Sequence, residues 1–347
     1  MFILEKSTEL YNSNIPFVIF KRPNSENVEL FHQADNQLYT FDNSFAVEGF
    51  ILAPFLNNRE QSVILKADKK YQSKYNPSSI NFPEKKEVPT NNTGKEAHIQ
   101  LVTKAIEELK KGTFEKVVLS RKITFEHPTN PITSFEKMIE RYPLAFCYLF
   151  FHPKVGIWLA ATPEKLLNVS DNQIYTMALA GTQPFREEGN YIWTEKEKDE
   201  QQIVTNVIVH RIHSLVEELN VTQPKTVRAG SVVHLCTDIS ARLREGENPF
   251  VIVNKLHPTP AICGFPNDVA KQFIIENEHY DRSYYSGYCG IVQPETSSID
   301  FYVNLRCMQM KDNQVIIYVG GGILKESNPE SEWEETQNKA QTMLSVL

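Results

Sequence analysis

The strongest constraint on the fold of this chain is a β-rich run that leads into three consecutive glycines near the C-terminus. The run covers Val315 to Val319, and Gly320, Gly321 and Gly322 follow it directly. Pro329 then stands where a helix would begin, since proline is favoured in the first helical turn. Glycine also lets backbone N–H groups approach a ligand closely. The pattern therefore predicts a strand, a glycine-rich turn and a C-terminal helix.

Three charged side chains share one face of this predicted helix. Glu332, Glu335 and Lys339 are spaced at i, i+3 and i+7, so they point in the same direction. Carboxylate oxygens suit Mg²⁺, and two carboxylates with an ammonium beside a glycine-rich turn could hold a divalent cation and an anionic ligand together. Taken alone, such a stretch is more often a solvated helix face with a single salt bridge.

The composition excludes several classes of function. The chain has 347 residues, of which 41% are hydrophobic, and this is ample for a large core in one or two domains. The formal net charge is −7 and no basic block occurs, which argues against nucleic acid or an anionic membrane as a partner. The apolar patch at the N-terminus is too short for a signal sequence. No run approaches the ~20 apolar residues of a membrane helix.

The cysteines indicate a reducing compartment. None belongs to a CxxC pair, and all stand singly in apolar or strand-like surroundings. An odd, dispersed set of thiols is typical of a cytoplasmic protein. The alternative, a catalytic thiol, has no supporting motif. The five positions are Cys147, Cys236, Cys263, Cys289 and Cys307.

Hydrophobic patterning divides the chain near residue 94. Residues 1 to about 66 carry short strand-like runs, whereas about 67 to 95 are poor in aliphatic residues and rich in Lys, Asn, Ser and Pro. Such a segment predicts a surface connection. We therefore expect residues 1–94 to be the N-terminal part of the fold, ending in a polar linker, and residues 95–347 to carry the functional site. Alternating strands and long helices indicate an α+β fold.

Two ionisable residues stand at the ends of apolar runs. Lys116 follows a helix predicted from Lys95 to Lys111 and opens a β-branched strand. A lysine near apolar walls loses solvation, which lowers its pKa and suits it to act as a general base. The commoner alternative is that it reaches water. Glu164 follows Pro163 at the end of another apolar run, where it could be a desolvated acid or a carboxylate at a helix N-terminus.

Four further residues are candidates for the functional site because of their neighbours in the sequence. Gly181 ends a short strand and permits close approach of the backbone. Glu200 lies in the acidic first part of a helix predicted from Thr194 to about Leu219, where the helix dipole alone accounts for acids. His257 precedes two prolines and could bond a ligand, although a satisfied loop histidine is commoner. Arg306 interrupts an apolar strand, and a buried arginine needs an anion.

Eight motifs in a fixed order give the chain a resemblance to a known family. They are KVVLSR at 116–121, ATPEKLL at 161–167, LAGT at 179–182, a KxxxE helix reaching Glu200, HPTPAICG at 257–264, YYSGYCG at 284–290, NLRC at 304–307, and GGG with EWEET and Lys339. Together they resemble the chorismate-utilising enzymes: isochorismate synthases, salicylate synthases, and the large subunits of anthranilate and aminodeoxychorismate synthases. The resemblance covers roughly residue 95 to the C-terminus. It implies two large antiparallel β-sheets packed as a sandwich with helices outside, as in anthranilate synthase component I, and chorismate as the substrate.

The resemblance also implies a Mg²⁺ site. Glu200 and Glu335 would be direct ligands, and Glu332 would bind through water, which fits the tendency of Mg²⁺ to keep several waters. The ion would hold the ring carboxylate of chorismate.

The same resemblance implies a set of substrate-binding residues. The 179–182 backbone and Lys339 would lie near the ring carboxylate, and His257 would orient the ring substituents. The arginine, the tyrosine turn and the glycines would hold the enolpyruvyl carboxylate. The expected residues are Leu179, Ala180, Gly181, Thr182, His257, Tyr284, Arg306, Gly320, Gly321 and Lys339.

Two positions separate the branches of the family. By resemblance Lys116 is the general base and Glu164 the general acid, and anthranilate synthases have a glutamine at the position of Lys116. Aminodeoxychorismate synthases have a lysine at the position of Ala180. Lys116 with Ala180 therefore points to water as the nucleophile and to an isochorismate synthase that needs no glutaminase subunit. The product would serve menaquinone or siderophore biosynthesis, and the protein would be a monomer or homodimer.

Three alternatives accompany this prediction. A salicylate synthase shares both positions and then eliminates pyruvate. An ammonia-using subunit is disfavoured by Lys116, and a non-catalytic scaffold would require broken acid, base or metal positions. Some residues depart from the commonest family pattern: Thr162 replaces serine, Ala160 replaces glycine, and Gln201 follows Glu200 where histidine is common.

Overall fold

The computed structural model describes residues 2–56, 60–75, 92–230, 232–311 and 313–347. Within these residues the chain forms seven α-helices and nineteen β-strands. The helices are α1 (Phe2–Asn12), α2 (Lys95–Lys111), α3 (Pro131–Arg141), α4 (Glu195–Ile212), α5 (Pro249–Leu256), α6 (Asn267–Asn277) and α7 (Pro329–Leu344). The strands are β1 (Phe17–Lys21), β2 (Asn27–His32), β3 (Tyr39–Thr40), β4 (Gly49–Ala53), β5 (Val63–Lys66), β6 (Lys69–Lys74), β7 (Lys116–Glu126), β8 (Phe146–His152), β9 (Gly156–Thr162), β10 (Lys165–Ser170), β11 (Gln173–Pro184), β12 (Val216–Val221), β13 (Lys225–Ala229), β14 (Val232–Leu243), β15 (Gly264–Phe265), β16 (Tyr288–Gln293), β17 (Ser298–Val303), β18 (Cys307–Lys311) and β19 (Gln314–Ile323).

The strands form two large antiparallel sheets. The first has nine strands in the order β15-β7-β19-β18-β9-β8-β1-β2-β6. The second has the order β12-β14-β11-β10-β17-β16-β4-β5-β3, with β13 paired to β14. Strands from the N-terminal part of the chain belong to both sheets, because β1 pairs with β8 in the first and β4 pairs with β16 in the second.

An aromatic-rich layer joins the two sheets face to face. Phe20 and Trp158 of the first sheet and Phe50 and Tyr302 of the second belong to one buried cluster. The rings of Phe146 and Tyr302 stack with their centroids 4.1 Å apart. Burial of such side chains stabilises a fold by ~25 cal/mol per Å² of apolar surface, so this layer fixes how the sheets face each other.

The helices cover the outer faces. Buried residues of α1, α3 and α7 pack on the first sheet, and those of α4 and α5 pack on the second. Helices α2 and α6 pack beside β7. This arrangement confirms the predicted α+β sandwich with helices outside. In the part of the chain that the structure describes, no helix has the length and apolar character needed to cross a membrane.

The structure corrects two predicted elements. Helix α4 ends at Ile212 instead of near Leu219, because Val216 and the residues after it pair with β14 at the sheet edge. The three glycines lie inside β19 and not in a turn, since Gly320, Gly321 and Gly322 pair with residues 120, 119 and 118 of β7. In the predicted surface connection of about 67–95, Lys69–Lys74 form strand β6 at the edge of the first sheet, and residues 76–91 lie outside the described residues.

Candidate active site

A cavity that is partly open to solvent lies beside the glycines of β19. Four groups of residues meet there: the end of β11, the turn between β9 and β10, helices α4 and α7, and the turn before β16. The lining includes Glu164, Leu179, Ala180, Gly181, Thr182, Glu200, His234, Tyr285, Ser286, Arg306, Gly320, Gly321, Gly322 and Lys339.

Glu200 reaches this cavity from the second turn of α4. The start of the helix is fixed because the Thr194 N–H donates to Glu197 Oε2 at 2.8 Å. The Gly181 N–H donates to Glu200 Oε2 at 3.3 Å. Burial alone would raise the pKa of Glu200, but Lys116 and then other lysines more than offset it and leave that pKa below its ordinary value.

Lys116 lies behind Glu200 at the start of β7. Its side chain is fully buried, and its Nζ lies 2.9 Å from Glu200 Oε1. The ammonium makes no well-aligned hydrogen bond within the described residues. Lys116 itself is not part of the cavity lining, but its Cε would lie 3.0 Å from a Cβ on the lining residue Gly322. The Lys116 side chain therefore lies beside two lining residues, Glu200 and Gly322, without being part of the lining itself.

Glu164 enters the cavity from the turn between β9 and β10. This turn is tied to β17, because Val303 N–H donates to the Glu164 carbonyl at 3.0 Å and Thr162 Oγ1 donates to the Val303 carbonyl at 2.6 Å. Thr162, which stands where serine is commoner in the family, therefore still provides a buried hydroxyl at this position. Burial raises the pKa of Glu164 to about 8, and Lys116 is the strongest charge acting against that rise, followed by Lys339 and Arg306.

The glycines of β19 leave space that three carboxylates occupy. A Cβ on Gly322 would lie 2.3 Å from Glu200 Oε1, which no structure tolerates. A Cβ on Gly321 would lie 3.3 Å from both Glu332 Oε2 and Glu335 Oε1. Neither glycine has a positive φ. The absence of side chains, and not unusual backbone geometry, is therefore what this part of the strand requires.

Each of these carboxylates contacts a lysine. Lys196 Nζ lies 2.8 Å from Glu332 Oε1, and Lys339 Nζ lies 2.5 Å from Glu335 Oε1 and 2.9 Å from the Gly320 carbonyl. Burial and the neighbouring Glu335 raise the pKa of Glu332, whereas Lys196 and Ser327 act to lower it. Glu332 Oε2 is buried without a hydrogen-bond partner among the described residues.

The carboxylate cluster fits a divalent cation in its donor chemistry. Three glutamates, from α4 and α7, converge on two successive glycines, and hard oxygen donors suit Mg²⁺. The unpartnered Glu332 Oε2 and the like charge of Glu335 both favour an added cation. With the side chains paired to lysines, no three His, Cys, Asp or Glu groups in the described chain are close enough to enclose an ion.

Arg306 belongs to a buried network of hydrogen bonds that includes His234, a residue that no sequence motif indicated. The His234 Nδ1 lies 2.9 Å from the Gly181 carbonyl, and its Nε2 lies 3.2 Å from Arg306 Nη2. Since a carbonyl only accepts, Nδ1 carries the proton and Nε2 accepts from the guanidinium. Burial, and then Arg306 and Lys339, hold the pKa of His234 well below its ordinary value. A neutral His234 therefore joins the LAGT strand to Arg306.

The structure corrects two expected substrate-binding residues. His257 is absent from the cavity lining, because its Nε2 lies 3.1 Å from the Pro54 carbonyl and its ring packs against Tyr288. Tyr284 faces a different cavity, where it lies against Trp158, while the adjacent Tyr285 lines the site. The structure therefore places Tyr285, and neither Tyr284 nor His257, at this cavity.

The remaining expected residues lie at the site. Leu179, Ala180, Gly181 and Thr182, together with Arg306, Gly320, Gly321 and Lys339, all line the cavity. His234, Tyr285 and Ser286 are further lining residues. The hydroxyl of Ser286 is buried and without a hydrogen-bond partner in the described chain. It is therefore available to a ligand.

The sequence matches a known family model and the sequences of characterised enzymes. The family model described as "Chorismate binding enzyme" matches residues 43–347. Isochorismate synthase EntC of Escherichia coli strain K12 is 32% identical over 280 residues, which cover 78% of this chain and 70% of EntC.

Two solved structures share the fold. DhbC of Bacillus anthracis, assigned as a 2,3-dihydroxybenzoate-specific isochorismate synthase, matches with a TM-score of 0.83 at 22% identity over 99% of both chains. Anthranilate synthase component I of Streptococcus pneumoniae matches with a TM-score of 0.71 at 18% identity, covering 94% of this chain and 89% of that one. These matches confirm the fold, and the family model confirms the resemblance that the motifs carry: the chain belongs to the chorismate-binding enzyme family.

Proposed function

We propose that this protein is an isochorismate synthase that converts chorismate to isochorismate. The observation that carries the proposal is that two buried groups flank one site: Glu164 lines the cavity, and Lys116 lies directly behind the lining residue Glu200. Both side chains are buried, and Lys116 is the strongest charge acting on Glu164. A buried acid and a buried base close to one cavity are what a proton-balanced exchange of a hydroxyl group needs.

The reaction moves a hydroxyl group from C4 to C2 of the ring. A water oxygen forms a bond to C2, the electron pair of C1=C2 shifts to C1–C6, and the pair of C5=C6 shifts to C4–C5. The C4–O bond breaks, and the hydroxyl leaves as water once it gains a proton. One proton is taken from the attacking water and one is given to the leaving group, so the exchange is neutral in charge and redox state.

Lys116 is assigned as the general base. Its amine, in the unprotonated form, would take the proton of the attacking water. The apolar start of β7 and the Glu200 carboxylate hold the lysine in one place. Removing a positioned acid or base typically costs ~10²–10⁴-fold in rate.

Glu164 is assigned as the general acid. With a pKa of about 8, its carboxyl is mostly protonated at neutral pH, so it can donate to the departing C4 hydroxyl. Lys116, Lys339 and Arg306 keep this pKa from rising further. The group can therefore also release its proton during the reaction.

The two carboxylates of chorismate need separate anchors. Arg306, buried and without a carboxylate hydrogen-bonded to it among the described residues, suits the enolpyruvyl carboxylate together with Tyr285 and the glycines of β19. Lys339 and the backbone of 179–182 suit the ring carboxylate. Mg²⁺, when bound, would supply the positive charge that holds this ring carboxylate, with Glu200 and Glu335 as direct ligands and Glu332 acting through water.

Lys116 together with Ala180 argues for water over ammonia as the nucleophile. The small side chain of Ala180 lines the cavity at the position where aminodeoxychorismate synthases carry a lysine. We therefore propose that the enzyme acts without a glutaminase subunit, in the cytoplasm, and supplies menaquinone or catecholate siderophore biosynthesis. The buried free thiols of all five cysteines agree with a reducing compartment.

A product assay tests the proposal directly. The purified chain is incubated with chorismate and Mg²⁺, the products are identified by mass, and pyruvate is measured separately. Isochorismate without stoichiometric pyruvate is expected. Salicylate with pyruvate would replace the proposal by a salicylate synthase, and an aminated product in the presence of ammonium would replace it by the aminating branch.

A further inference from the structure

One lysine that contacts the carboxylate cluster, Lys196, has no part in the proposed reaction. Lys196 lies in the first turn of α4, and its Nζ lies 2.8 Å from Glu332 Oε1 on α7. The lysine side chain is 30% exposed and the glutamate only 3%. The contact thus reaches from the protein surface to a buried carboxylate and spans the two helices that carry all three glutamates.

This contact divides the two oxygens of Glu332 between different environments. Oε1 accepts from Lys196, whereas Oε2 is buried and has no partner in the described chain. A Cβ on Gly321 would lie 3.3 Å from that free oxygen and 3.3 Å from Glu335 Oε1. The free oxygen therefore faces the same small space as the neighbouring carboxylate.

The negative charge of Glu335 works against this orientation of Glu332. Glu335 is a like charge beside it, and two carboxylates facing one space repel each other unless a cation lies between them. Lys196 supplies an opposite charge on the far oxygen. A carboxylate that is hydrogen-bonded through one oxygen loses its freedom to rotate and presents the other oxygen in a fixed direction. Hydrogen-bond partners commonly orient metal-binding groups in this way.

We propose that Lys196 is a positioning residue that fixes Glu332 so that Oε2 faces the divalent-cation site. The inference rests on the proposed Mg²⁺-dependent function. It assigns Lys196 no contact with substrate. The opposite role is equally specific: a lysine that competes with the cation for Glu332 would weaken metal binding, and its removal would strengthen it. The two roles predict changes of opposite sign.

The test measures Mg²⁺ binding to the full-length protein without chorismate, by titration calorimetry and by the Mg²⁺-dependent shift in melting temperature. Lys196→Met should weaken Mg²⁺ binding ~10–100-fold, the usual effect of losing a partner of a metal ligand. Lys196→Arg should restore binding to within a few-fold of the parent, since arginine also donates to a carboxylate. In the activity assay, Lys196→Met should need more Mg²⁺ but approach the parental kcat at saturating Mg²⁺.

Lys198→Met is the matched control. Lys198 lies on the same helix and pairs with Glu195 at 2.8 Å, but both side chains are exposed, at 54% and 82%. The Lys198→Met variant should bind Mg²⁺ with the same affinity as the parent protein. Unchanged or tighter Mg²⁺ binding in Lys196→Met would overturn the inference, as would an arginine variant as weak as the methionine one. If the parent protein itself binds no Mg²⁺ or makes no isochorismate, the proposed function fails instead.

Discussion

The Lys116 ammonium and the Glu200 carboxylate are in direct contact, with Nζ 2.9 Å from Oε1, yet the lysine makes no well-aligned hydrogen bond to any described residue. A proposed base is thus paired with a proposed metal ligand. Removing one partner of a buried ion pair strongly destabilises a protein, because the other charge is left buried and uncompensated. The predictions below follow from this pair and its surroundings.

Replacing Lys116 by methionine should lower the rate of isochorismate formation by ~10²–10⁴-fold, because the proton acceptor is lost while the side-chain volume is largely kept. The measurement is the steady-state rate with chorismate and saturating Mg²⁺. Lys122→Met is the control, since Lys122 is an exposed residue of the same strand. Parental activity in Lys116→Met would exclude this lysine as the base.

The rate should fall as pH rises through about 8. Glu164 has a pKa of about 8 and must be protonated to act as the acid, so its loss of a proton removes active enzyme. Glu164→Gln should lose ~10²–10⁴-fold in kcat, since an amide cannot supply a proton. The pH dependence of kcat for the parent measures the first effect. A rate that stays level from pH 7 to beyond 9 would contradict the assignment.

Glu164 should also make stability depend on pH. Its pKa is raised from an ordinary 4.5 to about 8 in the folded protein, so the folded state binds more protons than the unfolded state between these values. The free energy of unfolding should therefore fall as pH rises through that interval. Glu164→Gln lacks this contribution. Urea denaturation at pH 5, 6.5 and 8 should show the variant gaining stability relative to the parent as pH rises; two parallel curves would refute the buried carboxyl.

Removing the metal should abolish activity without unfolding the protein. The glutamates at positions 200, 332 and 335 each contact a lysine in the described structure, so their charges remain compensated when no cation is bound. EDTA should stop isochorismate formation, and excess Mg²⁺ should restore it. Circular dichroism should show an unchanged secondary structure throughout. Full activity in EDTA after dialysis would remove Mg²⁺ from the mechanism.

A methyl group on β19 should be tolerated according to its position. Gly322→Ala would place Cβ 2.3 Å from Glu200 Oε1 and 3.0 Å from Lys116 Cε, which forces this pair apart. Gly321→Ala would make contacts of 3.3 Å, which small movements of glutamate side chains can relieve. We expect Gly322→Ala to lose far more activity than Gly321→Ala, while both fold. Equal activities would show that the Lys116–Glu200 contact is not needed.

The sequence predicted those parts of the site that depend on motifs and not those that depend on side-chain direction. Lys116, Glu164 and Glu200 sit in recognisable strings of residues, and the structure brings them together. In the tyrosine turn, Ser283 and Ser286 both have positive φ, so strand alternation cannot tell which of the two tyrosines faces the cavity. His234 lies in a buried strand among apolar residues, and its importance becomes visible only through Arg306, 72 residues later.

The two misjudged elements have the same kind of cause. Residues near Val216 continue a helical pattern, but an available sheet edge at β14 captures them as a strand. The three glycines suggest a turn, but β7 supplies a full ladder of hydrogen bonds and the missing side chains leave room for carboxylates. In both cases the partner lies far away in the chain, so local preference is overridden by tertiary contacts.

The position of β19 within its sheet has a consequence for biosynthesis. Strands β15 and β7 join the other six strands of that sheet through β19, which is translated after all of them. While the ribosome is still translating residues 314–323, the strand that begins at Lys116 lacks its neighbour and exposes an unpaired edge. Nascent chains that stall or terminate before this point should therefore be targets for chaperones and proteases.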